Sequence, residues 1–174
     1  AVFVRSARGA GAALRHSRAS DALCLLAGVG KQDRDPAWKT TQVALALDHA
    51  DYIYSATRKP DSNAAPATEH VTFPAGEGIE QALETAAGIA AGVRRCRLLG
   101  DLPPNICTPA YLAEIAEQLA GEVDGLDIEV IQEAEMEKLG MRSLLAVARG
   151  SANRPRLIRL RWRGGKADQA PAAL

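Results

Sequence analysis

Histidine, cysteine and clustered glutamate are the residue types here that could bind a metal or move a proton, and their spacing decides whether they can act together. His16, His49 and His70 stand singly, with no HExxH, HxH or CxxC pattern that would bring ligands to within about 2.0–2.3 Å of a zinc ion. Cys24, Cys96 and Cys107 are odd in number and widely spaced, which fits neither a disulfide framework nor a zinc site and favours a reducing compartment. Cys107 precedes a helix start whose amides could lower a thiol pKa, but no histidine is near it in sequence, so a packed structural role is expected. Glu133, Glu135 and Glu137 alternate along a short helical stretch and therefore do not face one another, which predicts a solvated face rather than an acid/base pair.

Two further patterns invite a phosphate reading. Gly28-Val-Gly-Lys31 resembles part of a phosphate loop, yet Leu25 stands where the first glycine belongs and Gln32 where Ser or Thr should follow the lysine. A strand-ending turn is the expectation there. Arg159, Arg161 and Arg163 form a basic stripe on one side of a strand. That stripe could contact phosphates, or equally pair with acidic residues of a neighbouring domain or subunit.

The bulk composition bounds these possibilities. The 174 residues carry 21 basic and 21 acidic side chains, so no overall field draws the chain to nucleic acid or anionic lipid. No apolar run reaches the roughly 18 residues of a membrane span, and AVFVRSARGAG lacks the apolar region and cleavage site of a signal peptide. With 47% apolar, 24% charged and only 4% aromatic residues, a helix-rich α/β protein with Ala, Leu, Val and Ile interiors is expected.

The elements that would position any site follow from periodicity. Leu23 to Val29 reads as a strand covered on both faces, Trp38 to Ala50 as a helix, Tyr52 to Tyr54 and His70 to Phe73 as short strands, and Arg58 to Ala67 as a loop. Gly78 to Leu99 carries Ile79, Ala82, Leu83, Ala86, Ala90 and Val93 on one stripe, which predicts a helix of about 22 residues, roughly 33 Å long, able to bridge two domains. Gly88 and Gly92 inside it each cost about 1 kcal/mol relative to Ala, so a close packing partner is expected to offset them. Gly100 is expected to stop the helix, with Pro103 and Pro104 preventing its continuation.

Thr108 and Pro109 then predict a capped helix that buries Leu112, Ile115, Ala116 and Leu119. Leu126, Ile128 and Val130 alternate with Asp127 and Glu129 as a half-exposed strand, and Glu133 to Leu139 is a short helix ended by Gly140. Ser143 to Ala148 reads as a strand. A turn follows around Gly150 to Pro155, and then a strand from Arg156 to Arg163 with Ile158, Leu160 and Trp162 toward a core.

LLGDLPPNICTPAYLA, from Leu98 to Ala113, resembles the leucyl (cytosol) aminopeptidase family. So do IEQALETAAGIAAGVRRCRLLGDLPPN, from Ile79 to Asn105, and EAEMEKLGMRSLLAVARGSANRPRLIRLRWRGG, from Glu133 to Gly165, while Ala22 to Lys31 and His49 to Tyr54 match more loosely. Asp101 stands where the family commonly has Asn. The resemblance implies a macro-like N-terminal α/β domain over 1–76, an interdomain linker helix over 77–100, and the start of a catalytic domain over 101–174.

It also implies a cytoplasmic, homohexameric exopeptidase that removes N-terminal residues, often leucine, with two divalent ions, manganese or zinc among them. Paired metals about 3.5–4 Å apart would activate a bridging water and polarise the peptide carbonyl. The ligands of the family lie in GKGxTFDxGG and NTDAEGR segments, and neither string occurs here. The resemblance therefore implies that the first N-terminal strands and the metal ligands fall outside Ala1 to Leu174, that no residue here is catalytic, cofactor-binding or metal-binding, and that the segment alone is inactive. A non-enzymatic nucleotide-binding, DNA-binding or oligomerisation module is the alternative expectation.

Overall fold

The computed structural model describes residues 2–29, 34–59, 68–166, 169–170 and 172–173. They divide into two compact units, Ala1–Leu102 and Pro103–Leu174. Mixed α/β organisation is found in each.

In the first unit the order is helix α1 (Val2–Ser17), strand β1 (Asp21–Leu23), a single 3₁₀ turn at Leu26–Gly28, helix α2 (Pro36–Asp51), strand β2 (His70–Thr72) and helix α3 (Ile79–Asp101). Asp35 starts α2, because its carboxylate accepts the Trp38 amide at 2.6 Å and Pro36 occupies a first-turn position whose missing N–H has no helical partner. The strands β1 and β2 pair in parallel, Ala22 opposite Val71, and α2 lies in the connection between them, as a parallel pair requires.

The core of this unit sits where α1 crosses α2. Ala7, Val43 and Ala46 are buried there, with Phe3, Cys24, Leu26, Leu47 and Phe73 packed around them. Small residues allow the close approach: a Cβ on Gly11 would stand 2.9 Å from the Ala46 carbonyl oxygen and 3.1 Å from Ala50 Cβ. Lys39 is buried as well, with Nζ 3.4 Å from the Val29 carbonyl and 5.9 Å from the Phe3 ring centre.

The second unit runs helix α4 (Pro109–Glu122), strand β3 (Leu126–Gln132), helix α5 (Glu133–Lys138), helix α6 (Arg142–Ala148) and strand β4 (Arg156–Trp162). Thr108 Oγ1 accepts the Tyr111 amide at 3.3 Å and Pro109 opens α4, as expected from the sequence. The strands β3 and β4 are antiparallel with Ile128 opposite Leu160, and β3 alternates between more and less buried positions as its sequence does. Gly140, at φ 70°, ends the α5 turn.

Several expectations are corrected. Leu23 to Val29 is not one covered strand: pairing stops at Leu23, apart from the Cys24 amide donating to the Thr72 carbonyl, and the chain then turns through Leu26–Gly28 with Leu23 and Leu25 exposed. The β2 partner is only three residues long, so it cannot hold a longer strand in register. Tyr52 to Tyr54 belongs to no strand ladder among the described residues. Ser143 to Ala148 lies in helix α6, because Leu and Ala favour helix and no paired strand competes for this backbone, whose Leu145 amide closes on the Met141 carbonyl. Gly100 does not stop α3. The helix continues to Asp101, and Pro103 then blocks it.

Gly88 and Gly92 have no neighbour within 4 Å of a built Cβ, so no close packing offsets their helix cost. Of the α4 residues expected inside, Leu112 is exposed and Ala113 is buried in its stead, beside Ala116. Leu160 and Trp162 are 44% and 66% exposed, so the apolar side of β4 is open at its end. The helix α1 was not foreseen, because its buried positions are Ala7 and Gly11 rather than large apolar residues. Of the expected Arg58 to Ala67 loop, residues 60–67 lie outside the described residues, as do Gly30, Lys31 and Gln32 of the phosphate-loop reading.

Candidate functional site

The structure scatters the candidate ligands. His16, at the end of α1, donates from Nδ1 to the Ala12 carbonyl at 2.6 Å; His49, on α2, receives Arg97 Nη1 at 3.2 Å; His70 is exposed on β2. Cys24 and Cys107 are half-buried and Cys96 is exposed, all three as free thiols. The Cys107 amide donates to the Pro103 carbonyl, which fixes it in the turn before α4.

Among the described residues no group of three or more His, Cys, Asp or Glu side chains gathers as a metal site. Among the described residues these side chains therefore offer no ligand set that fits the pair of divalent ions the resemblance implies.

The glutamates of α5 do not converge. Glu135 and Glu137 are exposed, and Glu133 pairs with Arg154 Nη1 at 2.5 Å. Met136, between them in sequence, is fully buried and anchors α5.

The arginine stripe is answered within its own sheet. The antiparallel register sets Glu129 opposite Arg159 and Asp127 opposite Arg161, and the side chains pair accordingly: Arg159 to Glu129 at 2.5 Å, Arg161 and Arg163 to Asp127 at 3.6 and 2.7 Å. Cross-strand partners of opposite charge are the ordinary way such a face is stabilised. Three guanidiniums facing two carboxylates on this face leave little charge for a phosphate backbone.

Two clusters that the sequence did not single out lie on α2 and α3. In one, Arg94 Nε meets Asp48 Oδ1 at 2.5 Å while Nη2 stands 3.6 Å from Asp51 Oδ2, and Arg15 of α1 stands 3.9 Å from Asp51 Oδ1. Desolvation is the largest single influence on Arg94 and lowers its pKa, but the hydrogen bond and charge of Asp48, with the charge of Asp51 beside it, outweigh that effect and hold the pKa raised. The spacing of Asp48 and Asp51, one helical turn apart, is the signal that could have revealed this cluster.

In the other, Arg97 stacks over the Tyr52 ring at 3.9 Å, and the Tyr52 hydroxyl donates to Asp101 Oδ2 at 2.9 Å. Partial loss of water around the phenol, then the Asp101 hydrogen bond, hold the Tyr52 pKa above its usual 10.0. Asp101 is thus the acceptor that holds the end of α3 to the segment after α2.

Residues 94–174 match the model of the cytosol aminopeptidase family, catalytic domain. Over 172 residues the chain is 45% identical to a probable cytosol aminopeptidase of Stenotrophomonas maltophilia, covering 99% of this chain and 34% of that protein. It is 43% identical over 177 residues to a probable cytosol aminopeptidase of Xanthomonas axonopodis pv. citri, covering 100% and 35%. Among solved structures, the bottromycin maturation enzyme BotP in complex with Mn aligns at 26% identity and TM-score 0.76 over 90% of this chain and 33% of that one. A tomato leucine aminopeptidase variant shares the fold, with TM-score 0.77 at 24% identity over 94% and 34%. The chain spans about a third of the length of these relatives. Among the described residues no helix is long and apolar enough to cross a membrane. Sequence identity along the whole chain, the family match over residues 94–174 and the shared fold agree: the chain belongs to the cytosol aminopeptidase family.

Proposed function

We propose that these residues are part of a dinuclear-metal leucyl aminopeptidase, a cytoplasmic homohexamer that removes N-terminal amino acids, leucine preferred, from peptides. The observation that carries this reading is 45% identity over 172 residues to one probable cytosol aminopeptidase. In this reading 1–76 form an N-terminal α/β domain, 77–100 connect it onward, and 101–174 open the catalytic domain. The manganese named with BotP supports a metal-dependent reaction. Manganese or zinc ions would be held by residues that relatives carry in the two thirds of their length not matched here, since the described side chains do not fit them.

The segment contributes framework rather than chemistry: the Thr108 cap fixes the start of α4, and Met136 seats α5. Exposed Val147, Leu160 and Trp162 support an assembly role within the same reading, as surfaces for further parts of the enzyme or its subunits. The nucleic-acid alternative through Arg159, Arg161 and Arg163 is disfavoured by their cross-strand partners.

A segment exchange tests this. The matched third of the Stenotrophomonas protein is replaced by these 174 residues and assayed with leucine anilide and manganese. Hydrolysis within about tenfold of the parent enzyme is expected, a loss of less than about 1.4 kcal/mol in transition-state stabilisation. A folded, assembled hybrid with no turnover would contradict the reading.

A further inference from the structure

A cavity of about 240 Å³ opens in the first unit between α1, α2, β2 and α3. It is smaller than the roughly 300–1,000 Å³ of sites for drug-sized ligands, so it has room only for a smaller molecule. Its apolar lining comes from Leu47, Val71 and Phe73, and its charged lining from Arg15, Asp48, Asp51 and Arg94.

The charged side chains balance in number but not in hydrogen bonds. Asp51 Oδ1 is buried with no hydrogen-bond partner among the described residues: Arg15 Nε stands 3.9 Å from it, and Arg94 Nη2 stands 3.6 Å from the other oxygen, Oδ2. Each distance is too long for a hydrogen bond. Arg94 commits Nε to Asp48 and reaches the Asp48 carbonyl with Nη2 only at 3.5 Å, although a guanidinium has five N–H donors. One wall is therefore short of donors and the adjacent wall has donors in surplus. Two cations and two carboxylates make a locally neutral site, which disfavours a lone anion or a metal ion and suits a neutral molecule with separated charges.

We propose that this cavity binds a free aliphatic amino acid as its zwitterion, the ammonium donating to Asp51, the carboxylate accepting from Arg94, and the side chain resting on Leu47, Val71 and Phe73. The assignment stands independently of the aminopeptidase reading, since it uses only the lining of the first unit.

The test titrates the 174-residue chain with L-leucine by calorimetry, alongside isovalerate, which lacks the ammonium, isoamylamine, which lacks the carboxylate, and glycine, which lacks the apolar side chain. Saturable leucine binding with Kd on the order of 1 mM is expected, with each of the three analogues at least about tenfold weaker. Asp51→Asn should weaken leucine binding by a similar factor, and Ala44→Phe, which fills the cavity, should abolish it with the circular dichroism spectrum unchanged. Should a variant misfold, the analogue series on the unaltered chain still decides the matter. No saturation at about tenfold higher leucine, or equal binding of isovalerate or isoamylamine, would overturn the proposal.

Discussion

The two units use arginine and carboxylate differently. In the first, Arg15, Asp48, Asp51 and Arg94 join three helices in a half-buried cluster beside a core made of Ala, Val and Phe. In the second, Arg159, Arg161 and Arg163 face Glu129 and Asp127 across an exposed two-stranded sheet, and Met136 is its one fully buried large side chain among the described residues. Exposed pairs contribute about 0–1 kcal/mol each, so the second unit owes its order chiefly to a few apolar contacts. Charge pairing that looks alike on paper thus serves architecture in one unit and neutralisation in the other.

The largest expected effect breaks the second unit alone. Met136→Ala empties the space of a fully buried side chain and should cost about 2–5 kcal/mol. With Trp162 replaced by Phe so that Trp38 is the sole tryptophan, far-ultraviolet circular dichroism should then show an early loss in urea while Trp38 fluorescence, which reports the first unit, is unchanged. A single coincident transition would contradict separate cores.

Next, Gly11→Val should cost the first unit about 1–3 kcal/mol, because the new side chain meets the Ala46 carbonyl and backbone cannot move aside cheaply. Gly88→Ala, where nothing stands within 4 Å, should stabilise by about 0.5–1 kcal/mol. Opposite signs in urea midpoints check both statements. The charge comparison is sharpened by Arg94→Met against Arg161→Met: about 1 kcal/mol is expected for the first and under about 0.5 for the second, and equal losses would dissolve the distinction.

The smallest effect concerns pH. The Tyr52 pKa is raised in the folded chain, so its contribution to stability is fully present below 10.0 and is lost as pH rises through the raised value. Asp101→Asn should lower the Tyr52 titration seen by ultraviolet absorbance toward its usual position. An unchanged titration would remove Asp101 as an influence.

Much of the framework was legible. Thr108-Pro109 marks a helix start because cap chemistry is local, and β3 is legible because Leu126, Ile128 and Val130 alternate with charges. The helix α1 was hidden because its packing face is Ala7 and Gly11, whose value lies in what they leave out rather than in hydropathy. Ser143 to Ala148 misled because a short apolar run fits strand and helix equally until pairing partners are known. The Arg15, Asp48, Asp51 and Arg94 cluster was beyond reach for a different reason: its members come from three helices, and only their packing brings them together.

The central proposal is that this family segment supplies framework, and among its described residues no ligand group for a metal centre gathers. Its most direct test incubates the purified 174-residue chain with manganese and leucine anilide and measures both turnover and metal retained after gel filtration. The account predicts neither hydrolysis nor a stoichiometric ion; turnover accompanied by two retained ions per chain would contradict it.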